Sequence, residues 1–394
     1  MNSFQRDPVL RISAISPTAP YRARALAALS SLALLAGCAS LPASGPTAGE
    51  IQRGTKDQNE LGFKIVDIDG PLVADIAARD AAADAALPTL SSLAHDGRND
   101  VVGPGDILSI GIYEVGVSLF GSSGIGGGVA DPSARAETFP EVVVDRAGTI
   151  KLPYVGRLAV AGRTTSEIQS MIERGLKGKS QSPQALVMIK SNIASTVYVA
   201  GDVHQPGRYN LSLQRERLLD AIALAGGASN SAEDTIVRFN RGDHWLEERL
   251  GRIRAGAADD LVLIPGDRVE LIKRPRSFIA LGATDKVSQI AFETGDLSLA
   301  EAVARAGGPT DSVADPSAVF LFRYDPAGPN GHEVPVIYRL NMLQPASFFL
   351  SQRFAVRDKD VIYIANAAAN RPAKMVNIIN QLFSPFVAAR AVTR

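Results

Sequence analysis

The sequence predicts a multidomain α+β chain, because short alternating strands and single helices follow one another through most of its 394 residues. Two blocks of sequence recur at one constant spacing, which indicates a duplicated β-rich unit. An amphipathic segment ends the chain. Hydrophobic residues make up 46% of the sequence, enough to bury several cores. Acidic and basic residues number 41 each, which argues against a nucleic-acid-binding surface.

The first residues have the pattern of an export signal. An apolar run over residues 25–36 follows several arginines, and it is too short to span a membrane as a helix, which takes about 20 apolar residues. The only cysteine, Cys38, closes the sequence Leu-Leu-Ala-Gly-Cys. This sequence resembles the bacterial lipoprotein signal, in which the cysteine is acylated and the chain is cut in front of it. An ordinary secretory signal with an uninvolved cysteine is the alternative.

The lipoprotein resemblance implies a signal peptide over residues 1–37 and a mature, lipid-anchored chain that starts at Cys38. Ala39 stands where lipoproteins of the inner membrane often carry Asp, which favours the outer membrane. Small and polar residues dominate the beginning of residues 38–60, so we predict a flexible tether there. Residues 61–96 contain one strand pattern and one alanine-rich helix pattern, and the sequence leaves their role open.

Residues 97–195 are predicted to form an α+β domain. A Pro-Gly-Asp turn at 104–106 leads into a strand, further strands lie within 141–156, and a helix follows with Thr165 as its N-cap. The glycine-rich stretch at 121–128 lacks the Gly-x-Gly-x-x-Gly order that holds a dinucleotide. We therefore predict a loop there, and no cofactor.

Residues 196–274 and 275–368 are predicted to be two copies of one unit. The sequence LLDAIALAGG at 218–227 recurs as LAEAVARAGG 81 residues later, and a strand-like block at 197–203 recurs at the same offset. Two separate blocks with one offset indicate a duplication. Each copy reads as strands around one short helix that ends in Gly-Gly.

Residues 369–394 are predicted to contain an amphipathic helix. The 18 residues from Ala373 to Arg390 span about 27 Å, close to the roughly 30 Å of a bilayer's hydrocarbon core. The apolar side of the helix carries Met375, Ile379, Leu382, Phe383 and Phe386. The opposite side carries the uncharged polar residues Asn377, Asn380, Gln381 and Ser384.

A single helix with this polar side cannot lie in lipid, but a ring of identical helices can. In such a ring the apolar sides face lipid and the polar sides line a water-filled pore. Pro385 argues against a straight helix because it removes one backbone hydrogen bond. An amphipathic helix packed against its own domain is the alternative.

Taken in order, these segments resemble the Wza-like outer-membrane polysaccharide export family. The stretch from the Gly-Pro-Gly-Asp sequence at 103–106 to Val-Gly-Arg at 155–157 is similar to the polysaccharide export sequence domain. The two repeats are similar to SLBB-like β-grasp modules. The segments Tyr-Arg-Leu-Asn-Met at 338–342 and Ile-Asn-Gln-Leu at 379–382, with a proline nearby, are also similar to segments of that family.

The resemblance implies a conduit for capsular polysaccharide or exopolysaccharide. It implies a ring of identical subunits, an octamer, held in the outer membrane with most of each chain in the periplasm. The C-terminal helices would form an α-helical barrel through the membrane. An inner-membrane co-polymerase or transporter would supply the polymer.

Tyr154, in the sequence Leu-Pro-Tyr-Val-Gly, is predicted to narrow the periplasmic end of the path. A tyrosine buried in a strand is the alternative.

The sequence offers no recognisable catalytic set. The four histidines lie far apart without metal-ligand spacing, and no Gly-x-Ser-x-Gly sequence is present. We therefore predict that the chain is not an enzyme and binds no metal, although a polysaccharide-cleaving carboxylate pair cannot be recognised from sequence alone. The main alternative function is a periplasmic saccharide-binding or scaffold lipoprotein that forms no pore.

Overall fold

The computed structural model describes residues 45–57, 59, 61–114, 119, 135–327 and 332–369. The predicted signal peptide with Cys38, the glycine-rich loop and the predicted C-terminal helix lie outside these residues. Within the described part of the chain, no helix is both long and apolar enough to cross a membrane.

The first described element is helix α1 (Ala48–Asp57), which corrects the prediction that residues 38–60 are a flexible tether. The Glu50 carboxylate accepts hydrogen bonds from the backbone N–H and the hydroxyl of Thr47, at 2.7 and 3.0 Å, and so caps the start of the helix. Ile51 is buried against the second sheet described below. The small, polar composition hid this helix because most of its stabilisation comes from distant parts of the chain.

Strand β1 (Lys64–Asp67) and helix α2 (Gly70–Ala86) follow; β1 is an edge strand of the second sheet and α2 packs against that sheet. Asp69 caps α2 by accepting a hydrogen bond from the Leu72 amide at 2.9 Å. Val73 of α2 is buried in the core of that sheet. A short 3₁₀ helix, Leu90–Leu93, then inserts Leu90 into the core of another sheet, the five-stranded one called the first sheet below. The segment of undetermined role therefore packs on both sheets.

The domain that begins near residue 97 contains a three-stranded antiparallel sheet in the order β3-β2-β6, a two-stranded hairpin and one helix. Its elements are β2 (Ile107–Glu114), β3 (Arg135–Val143), β4 (Thr149–Leu152), β5 (Gly156–Ala159), α3 (Thr165–Leu176) and β6 (Gln184–Ser191).

Helix α3 covers the three-stranded sheet. The N-cap is Thr164, one residue before the predicted Thr165, and its hydroxyl and the Glu167 side chain form a capping box. Ile168 and Ile172 of the helix are fully buried in the same core as Ile110 of β2. The predicted α+β character of this region is confirmed.

The next sheet, called the first sheet here, has five strands in the order β10-β9-β11-β7-β8. Its elements are β7 (Thr196–Gly201), β8 (Gly207–Asn210), helix α4 (Leu218–Leu224), β9 (Thr235–Arg241), β10 (His244–Arg249) and β11 (Arg268–Lys273). The pair β7–β11 is parallel and the other pairs are antiparallel.

The second sheet repeats that order as β15-β14-β16-β12-β13, and β1 extends it beyond β15. Its elements are β12 (Ser277–Gly282), β13 (Ser288–Ala291), helix α5 (Leu299–Arg305), β14 (Ala314–Ala327), β15 (His332–Leu340), helix α6 (Pro345–Arg353) and β16 (Val361–Asn366). Helix α6 belongs to the longer second copy, and the first unit has only the short 3₁₀ helix Leu250–Arg252 between its corresponding strands.

Corresponding glycines end the first strand of each unit. Gly201 and Gly282 have φ angles of 81° and 92°. A Cβ atom at either position would overlap a backbone carbonyl oxygen, that of Leu271 or that of Ile364. Only glycine fits this close approach between parallel strands.

A buried ion pair occupies the same position in both sheets. Arg241 Nη2 lies 2.7 Å from Asp267 Oδ2, and Arg323 Nη2 lies 2.6 Å from Asp360 Oδ2. Both arginines also donate two hydrogen bonds to their aspartate, so the geometry is that of a planar fork on a carboxylate. Each aspartate immediately precedes the last strand of its unit, so the ion pair ties the start of that strand to the neighbouring strand that carries the arginine.

Candidate functional site

The predicted site residues divide into one that the structure describes and a larger set that it does not. Tyr154 lies in the described part. The remaining predictions lie outside the described residues: lipidation of Cys38, the pore-lining set Asn377, Asn380, Gln381 and Ser384, and the lipid-facing set Met375, Ile379, Leu382, Phe383 and Phe386.

Tyr154 lies at the tip of the β4–β5 hairpin, in left-handed backbone with φ of 60°. Its side chain is 52% exposed, so it is not the buried strand tyrosine that the sequence also allowed. The Lys179 ammonium donates a hydrogen bond to the Tyr154 carbonyl at 2.6 Å, which ties the tip to the turn after α3. The hairpin therefore presents an aromatic ring at the surface on a fixed backbone.

The neighbouring Val155 anchors this tip on α3. A Cβ atom added to Gly175 would lie 2.7 Å from Val155 Cγ1, so glycine is the residue that lets the hairpin approach the helix. The strained tyrosine conformation is thus held by contacts on both sides of the turn.

The first sheet presents a second aromatic surface on the face opposite its core. Five residues, one from each strand, stand directly opposite one another across that face. In strand order they are Trp245, Asn240, Arg268, Tyr198 and Arg208. We call these five residues the transverse row. With strands about 4.8 Å apart, the row crosses the sheet over about 19 Å.

Two arginines in the transverse row flank one aromatic ring. The Arg208 guanidinium carbon lies 5.0 Å from the centroid of the Tyr198 ring, and that of Arg268 lies 5.7 Å from it. Tyr198 is 37% exposed. Within the described chain, neither arginine lies within ion-pair distance of a carboxylate. Both guanidinium groups keep their charged donors available to solvent.

The adjacent row of the same face is neutralised internally. Arg238 lies between two glutamates, 2.8 Å from Glu247 and 3.0 Å from Glu270. Arg274 adds a second contact to Glu247 at 2.8 Å. Hydrogen bonds, first from Arg274 and then from Arg238, lower the pKa of Glu247 although partial burial opposes the shift. The acidic groups of this face are therefore already paired, and its available charge is positive.

Trp245 ends the transverse row at the edge strand β10. The indole is 58% exposed, and the Arg238 guanidinium lies 5.7 Å from its ring centroid. It is the single tryptophan of the whole chain. A ligand that spans the row would therefore reach the only indole fluorophore of the protein.

Two protein families match parts of the chain. "Polysaccharide biosynthesis/export protein" matches residues 94–190, and "SLBB domain" matches residues 196–244. The capsule polysaccharide export protein BexD of Haemophilus influenzae is 35% identical over 93% of this chain and 96% of its own length. The chain belongs to the polysaccharide biosynthesis/export family. The family resemblance given by the sequence is thus confirmed.

Other members of this export family are similar over shorter stretches. The capsule polysaccharide export outer membrane protein CtrA of Neisseria meningitidis is 32% identical over 89% of this chain and 92% of its own length. The Vi polysaccharide export protein VexA/TviF of Salmonella typhi is 31% identical over 69% of this chain and 75% of its own length.

In this member of the family, the second sheet carries a different set of side chains in the equivalent row. Across its strands the row reads Ile65, Ile337, Phe322, Val361, Ile279 and Gln289. Helix α1 and Phe63 cover the end of the row that contains Ile337 and Phe322. The Tyr363 hydroxyl donates a hydrogen bond to the Pro46 carbonyl at 2.7 Å and holds the start of this cover.

A cavity of about 670 Å³ remains between α1 and the second sheet. Its wall combines apolar side chains such as Ile51, Phe63 and Phe322 with the polar groups of Tyr324 and Lys359. The sequence alone does not predict this cavity, because the two walls of the cavity come from segments that are more than 250 residues apart.

The sequence prediction missed the transverse row. A comparison of the two repeats, position by position, carries the signal. Tyr198 and Arg208 align with Ile279 and Gln289 at the 81-residue offset. Both copies expose these positions, since Ile279 is 37% exposed, as Tyr198 is. Burial therefore does not require the aromatic and charged residues of the first copy.

The described part of the chain contains no cluster of three or more histidine, cysteine or acidic side chains that could hold a metal ion. The chemistry that the described surfaces offer is binding chemistry: exposed aromatic rings and guanidinium donors.

Proposed function

We propose that this chain exports a capsular polysaccharide or exopolysaccharide across the outer membrane. The observation that carries the proposal is the length of the similarity. Relatives whose names denote polysaccharide export proteins, some of them of the outer membrane, align with the chain through the export domain and both sheets. Similarity over nearly the full length of both proteins supports a shared role better than one shared domain would.

The finer parts of the proposal come from the sequence. Acylation of Cys38 anchors the chain to the outer membrane and leaves most of it in the periplasm. A ring of identical chains, an octamer by family resemblance, places the polar sides of the C-terminal helices around a water-filled pore. Asn377, Asn380, Gln381 and Ser384 offer weak, repeated hydrogen bonds, which let a polymer enter and also leave. An inner-membrane co-polymerase or transporter supplies the polymer.

Tyr154 contributes to the periplasmic end of this path in the proposal. Its support is the exposed ring on a hairpin that is fixed at both Lys179 and α3. An exposed tyrosine on a rigid turn can narrow an opening by a fixed amount, because its side chain has few rotatable bonds.

The location of the C-terminus tests the proposal. An epitope is placed after Arg394, and antibody is added to intact cells and to cells with a permeabilised outer membrane. We expect labelling of intact cells, since a spanning helix puts the C-terminus outside. A matched control carries the epitope between Gly256 and Ala257, in an exposed connection of the first unit, and we expect labelling only after permeabilisation.

Labelling of the C-terminal epitope only after permeabilisation would contradict the proposal. It would favour the alternative of a periplasmic saccharide-binding or scaffold lipoprotein. A Cys38→Ser variant of the tagged chain separates anchoring from insertion: it removes the lipid but leaves the helix unchanged.

A further inference from the structure

The transverse row has the chemistry of a binding site for an anionic sugar chain. Guanidinium groups are planar forks that match the two oxygens of a carboxylate or phosphate. Arg208 and Arg268 are both exposed, and within the described residues neither is paired with an acid. Two unpaired cations beside one another favour an anion at this place on the sheet.

The aromatic members of the row supply the second half of sugar recognition. Tyr198 and Trp245 present exposed rings on the same face, with Asn240 and Arg268 between them. An aromatic ring packs against the apolar C–H face of a sugar, while amide and guanidinium donors bind its oxygens. Asn240 adds an uncharged donor and acceptor for hydroxyl groups.

The second sheet has the same row with other side chains. Helix α1 and Phe63 cover its Ile337 and Phe322 end, whereas Ile279 and Gln289, the equivalents of Tyr198 and Arg208, are exposed but carry neither a charge nor an aromatic ring. In the first sheet no described segment of the chain lies over the row, and its residues have the composition of a wet, polar contact surface. Such a surface suits a transiently bound ligand better than a permanently packed helix.

We propose that the transverse row, Trp245, Asn240, Arg268, Tyr198 and Arg208, binds a segment of an anionic polysaccharide. This inference rests on the proposed export function and narrows its substrate to sugars that carry oxyanions. Each contact is exposed and weak, so the row guides a moving polymer and does not trap it. Carboxylated and phosphorylated sugars share the required chemistry.

The test uses the purified full-length chain in detergent and the emission of Trp245, the only tryptophan. The probes are a galacturonate oligomer, a ribitol phosphate oligomer and, as the neutral probe, a maltodextrin of matched length. We expect a concentration-dependent change of Trp245 emission with at least one anionic oligomer and none with maltodextrin. The stronger of the two anionic probes identifies carboxylate or phosphate as the preferred group.

Variants then locate the binding. The double variant Arg208→Gln/Arg268→Gln should weaken binding of the anionic oligomer about tenfold or more, since each charged hydrogen bond contributes on the order of a tenfold change. Arg208→Lys/Arg268→Lys keeps both charges and should lose less. Arg146→Gln, an exposed arginine in a turn of the export domain, is the matched control and should bind as the wild type does.

Equal binding of maltodextrin, or unchanged binding by the double glutamine variant, would overturn the inference. The inference would also be overturned if the wild-type protein bound neither anionic sugar and the double glutamine variant formed an assembly with a different number of subunits. The face would then be a contact between copies of the chain. The proposed export function is judged separately: an externally labelled C-terminus together with no anion binding removes this inference and leaves export standing.

Discussion

The two five-stranded units have one topology and one register but opposite outer faces. In the first, Tyr198 and two arginines are exposed, whereas in the second α1 covers the Ile337 and Phe322 end of the equivalent row, and the exposed Ile279 replaces the tyrosine. The strand order is fixed by features that both units share, such as the glycines at 201 and 282 and the buried ion pairs. The outer face depends only on alternate strand positions, which can change without disturbing the core.

The largest expected effect comes from breaking the buried ion pair of the second sheet. Arg323 and Asp360 are both 2% exposed, and burial raises the pKa of Asp360 although the arginine opposes the shift. Replacing Arg323 by Leu leaves an unpaired buried carboxylate, so we expect the second unit to lose about 3–5 kcal/mol of unfolding free energy. Hydrogen exchange of the β14 and β16 amides measures this locally, as a multidomain chain does not unfold in two states.

The first sheet and a surface pair provide the controls for this prediction. Arg241→Leu should have a smaller effect on β9 and β11, because Arg241 is 11% exposed and water can reach its site. Arg305→Leu removes a 3.8 Å contact to a glutamate that is 82% exposed, and should change stability by less than about 1 kcal/mol. Equal protection loss in Arg323→Leu and Arg305→Leu would show that the buried pair does not hold the sheet.

Removing the cover of the second sheet tests why its outer row is apolar. Ile51 of α1 packs with Phe320 and Ile337. Ile51→Ala should release α1 and cost about 2 kcal/mol or more, because the deleted atoms are buried. We expect faster proteolysis within residues 48–57 and stronger binding of a hydrophobic dye to the exposed row.

Arg53→Ala, on the exposed side of the same helix, is the matched control, since its guanidinium donates a hydrogen bond to the Gly49 carbonyl one turn back, within the helix itself. If Ile51→Ala and Arg53→Ala gave the same proteolysis rate, α1 would not be held by the apolar row, and the contrast between the two sheets would need another cause.

The sequence predicted the duplicated unit well because its signals are local. Glycine pairs after each helix, aspartates that open the last strands and one 81-residue offset all lie within short stretches. It did not predict α1 or the placement of β1, because these depend on contacts of residues 47–67 with residues 336–366, far along the chain. The transverse row was missed for a similar reason: it joins strands whose register is known only in the folded sheet.

The smallest expected effect concerns the turn before the last strand of each unit. Lys359 has φ of 68° where the first unit has Gly266 at 92°, and the amides of both donate equivalent hydrogen bonds, to Ser277 and Thr196. Left-handed backbone costs a non-glycine residue about 1–2 kcal/mol, and glycine loses roughly 0.5–1 kcal/mol in chain entropy. Lys359→Gly should therefore stabilise the second unit by up to about 1 kcal/mol in hydrogen exchange of β16.

The reverse change, Gly266→Lys, is the matched control and should destabilise the first unit by a similar amount. Lys359 also lines the cavity beneath α1, so its side chain has surroundings in the folded chain that Gly266 lacks. A loss of stability in Lys359→Gly, with the expected loss in Gly266→Lys, would mean that the lysine side chain stabilises that cavity by more than its backbone strain costs. The covered sheet would then depend on α1 and on this rim together, while the open sheet keeps the unstrained glycine.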